Sequence, residues 1–137
     1  MNKYLDFAVP QSLTKKDILD ILTTAIEGGV NYYLCLDNTT EDWVASRKEL
    51  KEKTGEAPCY CDVAFDLMEK GKSVRFEDQE DHNRPYELTL ENFKKGCSLY
   101  AQHSGKNIHK MIDESDFDAE DADCIIQFAL FGELMYG

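Results

Sequence analysis

The run Glu27-Gly28-Gly29-Val30-Asn31-Tyr32-Tyr33 joins two glycines, which let backbone come close to a ligand, to an amide and two adjacent phenols that can hydrogen-bond and stack on a planar base. The chemistry such residues offer is binding rather than bond breaking. The same run also reads as a helix stop followed by a core strand, with Val30, Tyr32 and Leu34 facing inward. Near the other end of the sequence, Gln127, Glu133 and Tyr136 are polar groups among apolar neighbours. Each must find a partner on folding or face a site. There Gly132 reads as a helix cap and Tyr136 as a core anchor.

Other candidates carry less. Asp116 to Asp123 has the acid density of a calcium loop, but Asp121 stands where the turn glycine belongs and Gln127 where the closing glutamate belongs. Those acids read instead as a cap at Asp118 and a helix first turn that opposes the macrodipole. Cys59-Tyr60-Cys61 lacks the two-residue gap of a zinc knuckle or a thioredoxin-type motif, and no second Cys/His pair has ligand spacing, so no metal is assigned. His103 and His109 are too far apart in sequence to share a helical face. Asp81-His82-Asn83 resembles a nuclease triplet without a metal-binding partner set and reads as solvated loop. No catalytic residue is assigned, and no cofactor.

The elements that must position these groups are legible from period and punctuation. Tyr4 to Val9 reads as a strand ended by Pro10, and Thr14 caps a helix to about Glu27, with Ile18, Ile21, Leu22, Ala25 and Ile26 on its buried face. A strand is expected over Val30–Leu36, then a helix from about Glu41 to Lys53 carrying Trp43 in its first turn. Tyr60 to Lys70 reads as a helix. Ser73–Glu77 and Tyr86–Leu88 read as a hairpin with a mobile polar tip. Thr89 opens a helix that Ser104 and Gly105 break, one or two weak turns follow around Ile108–Ile112, and the closing helix spans Ala119–Phe131. These elements define an α+β fold, a small antiparallel sheet of about three to four strands packed with about four to five helices.

At 137 residues, the chain is expected to form a single domain spanning 1–137 around one core. Hydrophobic residues make up 42% and charged residues 31%, which excludes a disordered tail. The formal charge of −12 repels phosphate backbones and anionic membranes, so direct nucleic-acid binding is not expected. No run approaches the ~20 apolar residues of a membrane span. With no signal-like N-terminus and five cysteines in no framework spacing, the reading is a cytoplasmic protein with reduced thiols.

Two signatures carry a resemblance. One is Asp17-Ile18-Leu19-Asp20 through Ala25-Ile26-Glu27-Gly28-Gly29-Val30-Asn31-Tyr32-Tyr33, and the other is Ala122 through Gly137, with Gln127-Phe128-Ala129-Leu130-Phe131-Gly132-Glu133 at its centre. With the hairpin and the Tyr86–Leu90 segment, they resemble small proteins encoded by phages and integrative elements of anaerobic Gram-positive bacteria, relatives that commonly have tryptophan where Tyr33 stands here. In size and genetic setting such proteins are similar to counter-defence sponges, including the families called Sequestin and Lockin, which trap nucleotide immune signals without turnover. The resemblance implies a small nucleotide ligand, an ADP-ribose derivative or a cyclic nucleotide. It also implies a homo-oligomer with ligand at subunit junctions. In that reading Tyr32, Tyr33 and Trp43 stack on the ligand, Gly28 and Gly29 admit it to the backbone, Asn31 and Gln127 bond its base or ribose, and Arg75 pairs with its phosphate.

Two rivals come from other classes. An acidic inhibitor that imitates DNA and blocks the basic groove of a host defence protein, in the manner of some anti-CRISPR proteins, accounts for the charge. A metal-assisted nucleotide hydrolase needs a ligand set that the sequence does not display.

Overall fold

Five of the six α-helices among the described residues begin where a short oxygen-bearing side chain takes an otherwise orphaned backbone N–H, and the third in chain order begins at a cysteine instead. In the computed structural model, which describes residues 4–5 and 9–136, Thr14 precedes α1 (Lys15–Thr24) and Thr40 precedes α2 (Glu41–Thr54). Cys59 precedes α3 (Tyr60–Glu69), Thr89 α4 (Leu90–Ser104), Asn107 α5 (Ile108–Asp113) and Asp118 α6 (Ala119–Phe131). The Thr14 hydroxyl accepts from the Asp17 N–H at 3.1 Å while Asp17 accepts from the Thr14 N–H at 2.9 Å, a reciprocal capping box.

The sheet is antiparallel in the order β1-β2-β3, with β1 at Leu34–Leu36, β2 at Val74–Asp78 and β3 at Pro85–Leu88. Leu36 stands opposite Phe76, Phe76 opposite Tyr86, and Val74 opposite Leu88. Leu34, Val74, Phe76 and Leu88 are all buried. The hairpin tip is a hydrogen-bonded turn in which the Asp78 carboxylate accepts from the Glu80 N–H at 2.8 Å. The architecture is the expected small α+β fold, with six α-helices rather than four or five among the described residues. The sixth is α5, a short helix over the weak turns. Half of the strand expected over Tyr4–Val9, residues 6–8, lies outside the described residues, and Tyr4, Leu5 and Val9 belong to no strand.

One expected strand is different in kind. Over Val30–Leu36 only the last three residues pair, because α1 does not stop at Glu27. It widens into a π turn over Ala25–Gly29, closed by the Val30 N–H donating to the Ala25 carbonyl at 2.9 Å. The Tyr33 and Leu34 N–H groups then both donate to the Val30 carbonyl, at 3.1 and 3.0 Å, so Asn31–Tyr33 is a turn. Tyr33, rather than Tyr32, is therefore the buried phenol of the pair.

Helix α6 is the hub. Ala122, Asp123 and every residue from Ile125 to Ala129 are buried, so it is enclosed on nearly all sides, as a central helix must be. Its neighbours are α4, the π turn, α1 and β3. Where α4 crosses it, a Cβ on Gly96 would lie 2.6 Å from the Ile125 carbonyl oxygen and 2.7 Å from Ala129 Cβ. Where the π turn meets it, a Cβ on Gly29 would lie 2.9 Å from the Ala119 carbonyl oxygen. Both crossings need the missing side chain.

Candidate functional site

In a strand, adjacent tyrosines point to opposite faces. The turn at Asn31–Tyr33 removes that alternation and delivers both hydroxyls to one carboxylate. The Tyr33 hydroxyl donates to Asp123 Oδ1 at 2.7 Å and the Tyr32 hydroxyl to Asp123 Oδ2 at 2.9 Å. Gln127, one helical turn further along α6, adds an Nε2 donor to Asp123 Oδ1 at 3.0 Å. Asp123 is 7% exposed, and this carboxylate is held by three hydrogen bonds. Burial and the adjacent Asp123 charge push the Tyr32 phenol up to about 12 and raise the Tyr33 phenol further, so both stay protonated donors at neutral pH.

The remaining atoms of Gln127 hold the segment that follows α6. Its Oε1 accepts from the Met135 N–H at 2.7 Å and the Tyr136 N–H at 2.8 Å, while Nε2 donates to the Tyr136 carbonyl at 3.1 Å. Tyr136 is thereby stacked on Tyr33, ring centres 4.2 Å apart at 21°, Phe131 lies tilted at 54° to Tyr136, and Tyr86 meets Phe131 edge to face. From the hairpin, Gln79 donates to the Leu34 carbonyl at 3.1 Å and also to the Asn31 carbonyl, locking the turn from the sheet side.

Of the eight residues expected to bind a ligand, six meet at this seam. Gly29 packs on the α6 start, and Gly28 has a more ordinary approach, 3.7 Å from its would-be Cβ to Ala119 Cβ. Tyr33 and Gln127 are buried, Tyr32 is half exposed, and the exposed Asn31 amide donates back to the Glu27 carbonyl at 3.1 Å. The other two lie elsewhere. Trp43 is 1% exposed and packed edge-on against Tyr60, because it begins the one buried face of α2. Its ring is committed mainly to the core, although it also borders a cleft of about 250 Å³ lined by Asn38, Val44, Arg47, Lys48 and Lys51. Arg75 extends from β2 among three carboxylates, Asp37 at 3.5 Å, Glu77 at 3.6 Å and Glu87 at 3.7 Å, so its charge is already answered.

In the sequence Asp123 reads as one of several helix-start acids, and folding makes it the centre of the site. The available signal was its i,i+4 relation to Gln127 on a stretch otherwise made of Ala122, Ile125, Ile126 and Ala129. Its neighbours diverge. Asp118 and Asp121 cap α6 reciprocally at 3.0 Å each way, and Asp121 also accepts from the Tyr100 hydroxyl, so the acids do not converge on a calcium ion.

Two further features lie away from the seam. His109 Nδ1 is 2.6 Å from Asp17 Oδ2, a carboxylate buried beneath α1's first turn. A cleft of about 300 Å³ runs between α1, the end of α2 and α3, floored by Leu19, Leu50 and Phe65 and lined by Asp62, Asp66 and Glu69, with Lys15 lying over the Phe65 ring at 5.0 Å. The cleft is acidic and apolar. No helix is long and apolar enough to cross a membrane among the described residues. No protein-family model, curated protein or solved structure matches the chain.

Proposed function

We propose that this protein is a non-catalytic binder that engages a basic surface on a protein partner, with inhibition of a host defence protein as the setting that its charge fits best. The supporting observation is electrostatic. Exposed Asp113, Glu114, Asp116, Asp118 and Glu120 run from the end of α5 into the first turn of α6. They continue, across the contact of Gly28 with Ala119, toward the exposed Glu27 and half-exposed Tyr32. Acids beside an accessible phenol attract lysine and arginine by steering and by cation–π contact. Such a surface acts by contact and has no bond to break.

The experiment is capture of host proteins on the immobilised chain across a salt series, repeated with an Asp113→Asn, Glu114→Gln, Asp116→Asn, Glu120→Gln variant. A basic partner that is released as salt rises and is lost on charge removal supports the reading. A partner retained equally by wild type and variant rejects it.

Sequestration of a nucleotide signal is the second reading, favoured by the meeting of six expected residues at one seam. A base would stack on Tyr33 only after Tyr136 swings aside, and Asn31 and Gln127 would then offer hydrogen bonds to base or ribose. With Arg75 engaged by its carboxylates, phosphate would depend on backbone N–H groups. Thermal unfolding against cyclic dinucleotides and ADP-ribose derivatives tests this reading. A shift that grows in Tyr136→Ala supports it, and no shift in either protein removes it.

A further inference from the structure

We propose that Cys59, Cys61 and Asp62, at the start of α3, form a binding site for a thiophilic metal ion of the zinc or cadmium class. The sequence lacks a two-residue gap between the cysteines, and spacing alone argued against a metal. Folding supplies what spacing could not. The two sulfurs and the carboxylate lie within 4.8 Å of one another, and the sulfurs are 2.7 Å apart. Asp62 is drawn in because it is the third residue of the helix, where it accepts from the Cys59 N–H at 3.3 Å and from the Cys59 thiol at 3.0 Å. A capping box accounts for the Cys59–Asp62 pair. It does not account for the approach of the Cys61 sulfur, which meets that of Cys59 while the residue also packs at the edge of the core.

Two thiolates and one carboxylate are a three-donor set of the kind that holds zinc with a fourth position open. Tetrahedral geometry at a zinc–sulfur distance of about 2.3 Å sets the sulfurs about 3.8 Å apart, so the pair must open by roughly 1 Å. Rotation of the exposed Cys59 about its first side-chain bond can supply this. The third donor, Asp62, also lines the acidic cleft of about 300 Å³ beside α3, whose field favours a cation and whose volume leaves room for a small ligand or water at the fourth position. The other three cysteines, Cys35, Cys97 and Cys124, belong to no such donor cluster among the described residues.

Cadmium titration of the reduced full chain, followed by thiolate-to-metal charge-transfer absorbance, tests the site, with zinc competing against a chelating indicator. Wild type and a Cys35→Ser, Cys97→Ser, Cys124→Ser variant should bind one equivalent. Cys59→Ser and Cys61→Ser should each abolish the absorbance of that equivalent, and Asp62→Asn should weaken binding by at least about tenfold, the scale seen when a group supporting a metal is lost. Serine is itself a good helix cap, so Cys59→Ser keeps the helix start, and circular dichroism verifies that the variants are folded. The proposal is overturned if cadmium absorbance survives in Cys59→Ser and Cys61→Ser, if it disappears with the other three cysteines, or if reduced wild type binds no metal.

Discussion

Asp123 carries a charge into the protein interior on hydrogen bonds alone, and that makes its donors unequal. Tyr33 is enclosed and Tyr32 half exposed, so water can replace only the second. Tyr33→Phe should therefore destabilise the fold by about 1–3 kcal/mol, the cost of a buried acceptor losing a donor, and Tyr32→Phe by clearly less. Urea unfolding of both variants measures the order, and equal losses would show that the two bonds are alike. Asp17 gives a pH dependence. Burial raises its carboxyl, but the Thr14 backbone N–H, His109 and the Thr14 hydroxyl outweigh that and leave it below the ordinary value of 3.8. A lowered folded-state value means stability that is complete above the unfolded value and lost as pH falls through the folded one. The stability gap between wild type and Asp17→Asn should accordingly be full near neutrality and shrink below about pH 4. A gap that is constant across that range would assign Asp17 to packing alone. Trp43, expected as a stacking platform, belongs to the core for a reason that composition hides, since Trp43 and Ser46 are the buried residues of a helix otherwise rich in charge.

Helix caps and stops were the most legible part of the chain. Thr14, Thr89 and Asp118 each act through groups within three residues, so their geometry follows from local sequence. The stretch after α1 was not, because two local signals compete there. Val30 to Leu36 has strand composition, yet Gly28 and Gly29 permit a wide turn, and contact with the α6 start decides in favour of the turn. Element crossings are likewise invisible locally. Gly96 lies mid-helix, where alanine is ordinarily the better residue by about 1 kcal/mol. Here a methyl group would overlap the α6 backbone, so Gly96→Ala should destabilise by about 1–3 kcal/mol, the usual cost of overpacking. Thermal unfolding decides the sign, and a stabilised variant would mean that the α4–α6 crossing is looser than described.

At the scale of the molecule, the proposed basic partner rests on charge and the nucleotide reading on the seam. A −12 chain whose expected phosphate partner is surrounded by carboxylates favours cationic surfaces over anionic ligands. Binding should weaken by more than tenfold between low and high salt if charge supplies the attraction, measured as Kd for the captured partner. Leu134 and Met135, exposed beside the pinned Tyr136, are the groups through which the expected homo-oligomer would form. Sedimentation of wild type against Leu134→Asp, Met135→Asp checks that surface, and a wild-type monomer removes it. The sequence by itself determined the α+β class, the helix starts, the hairpin and the acidity, because these follow from period, capping and composition within a few residues. Only the tertiary structure decided that Tyr32, Tyr33, Asp123, Gln127 and Tyr136 share one network while Trp43 and Arg75 are committed elsewhere. The hydrogen bonds from the two phenols to Asp123 span 90 and 91 positions and depend on glycines letting elements approach, a condition that no local window contains.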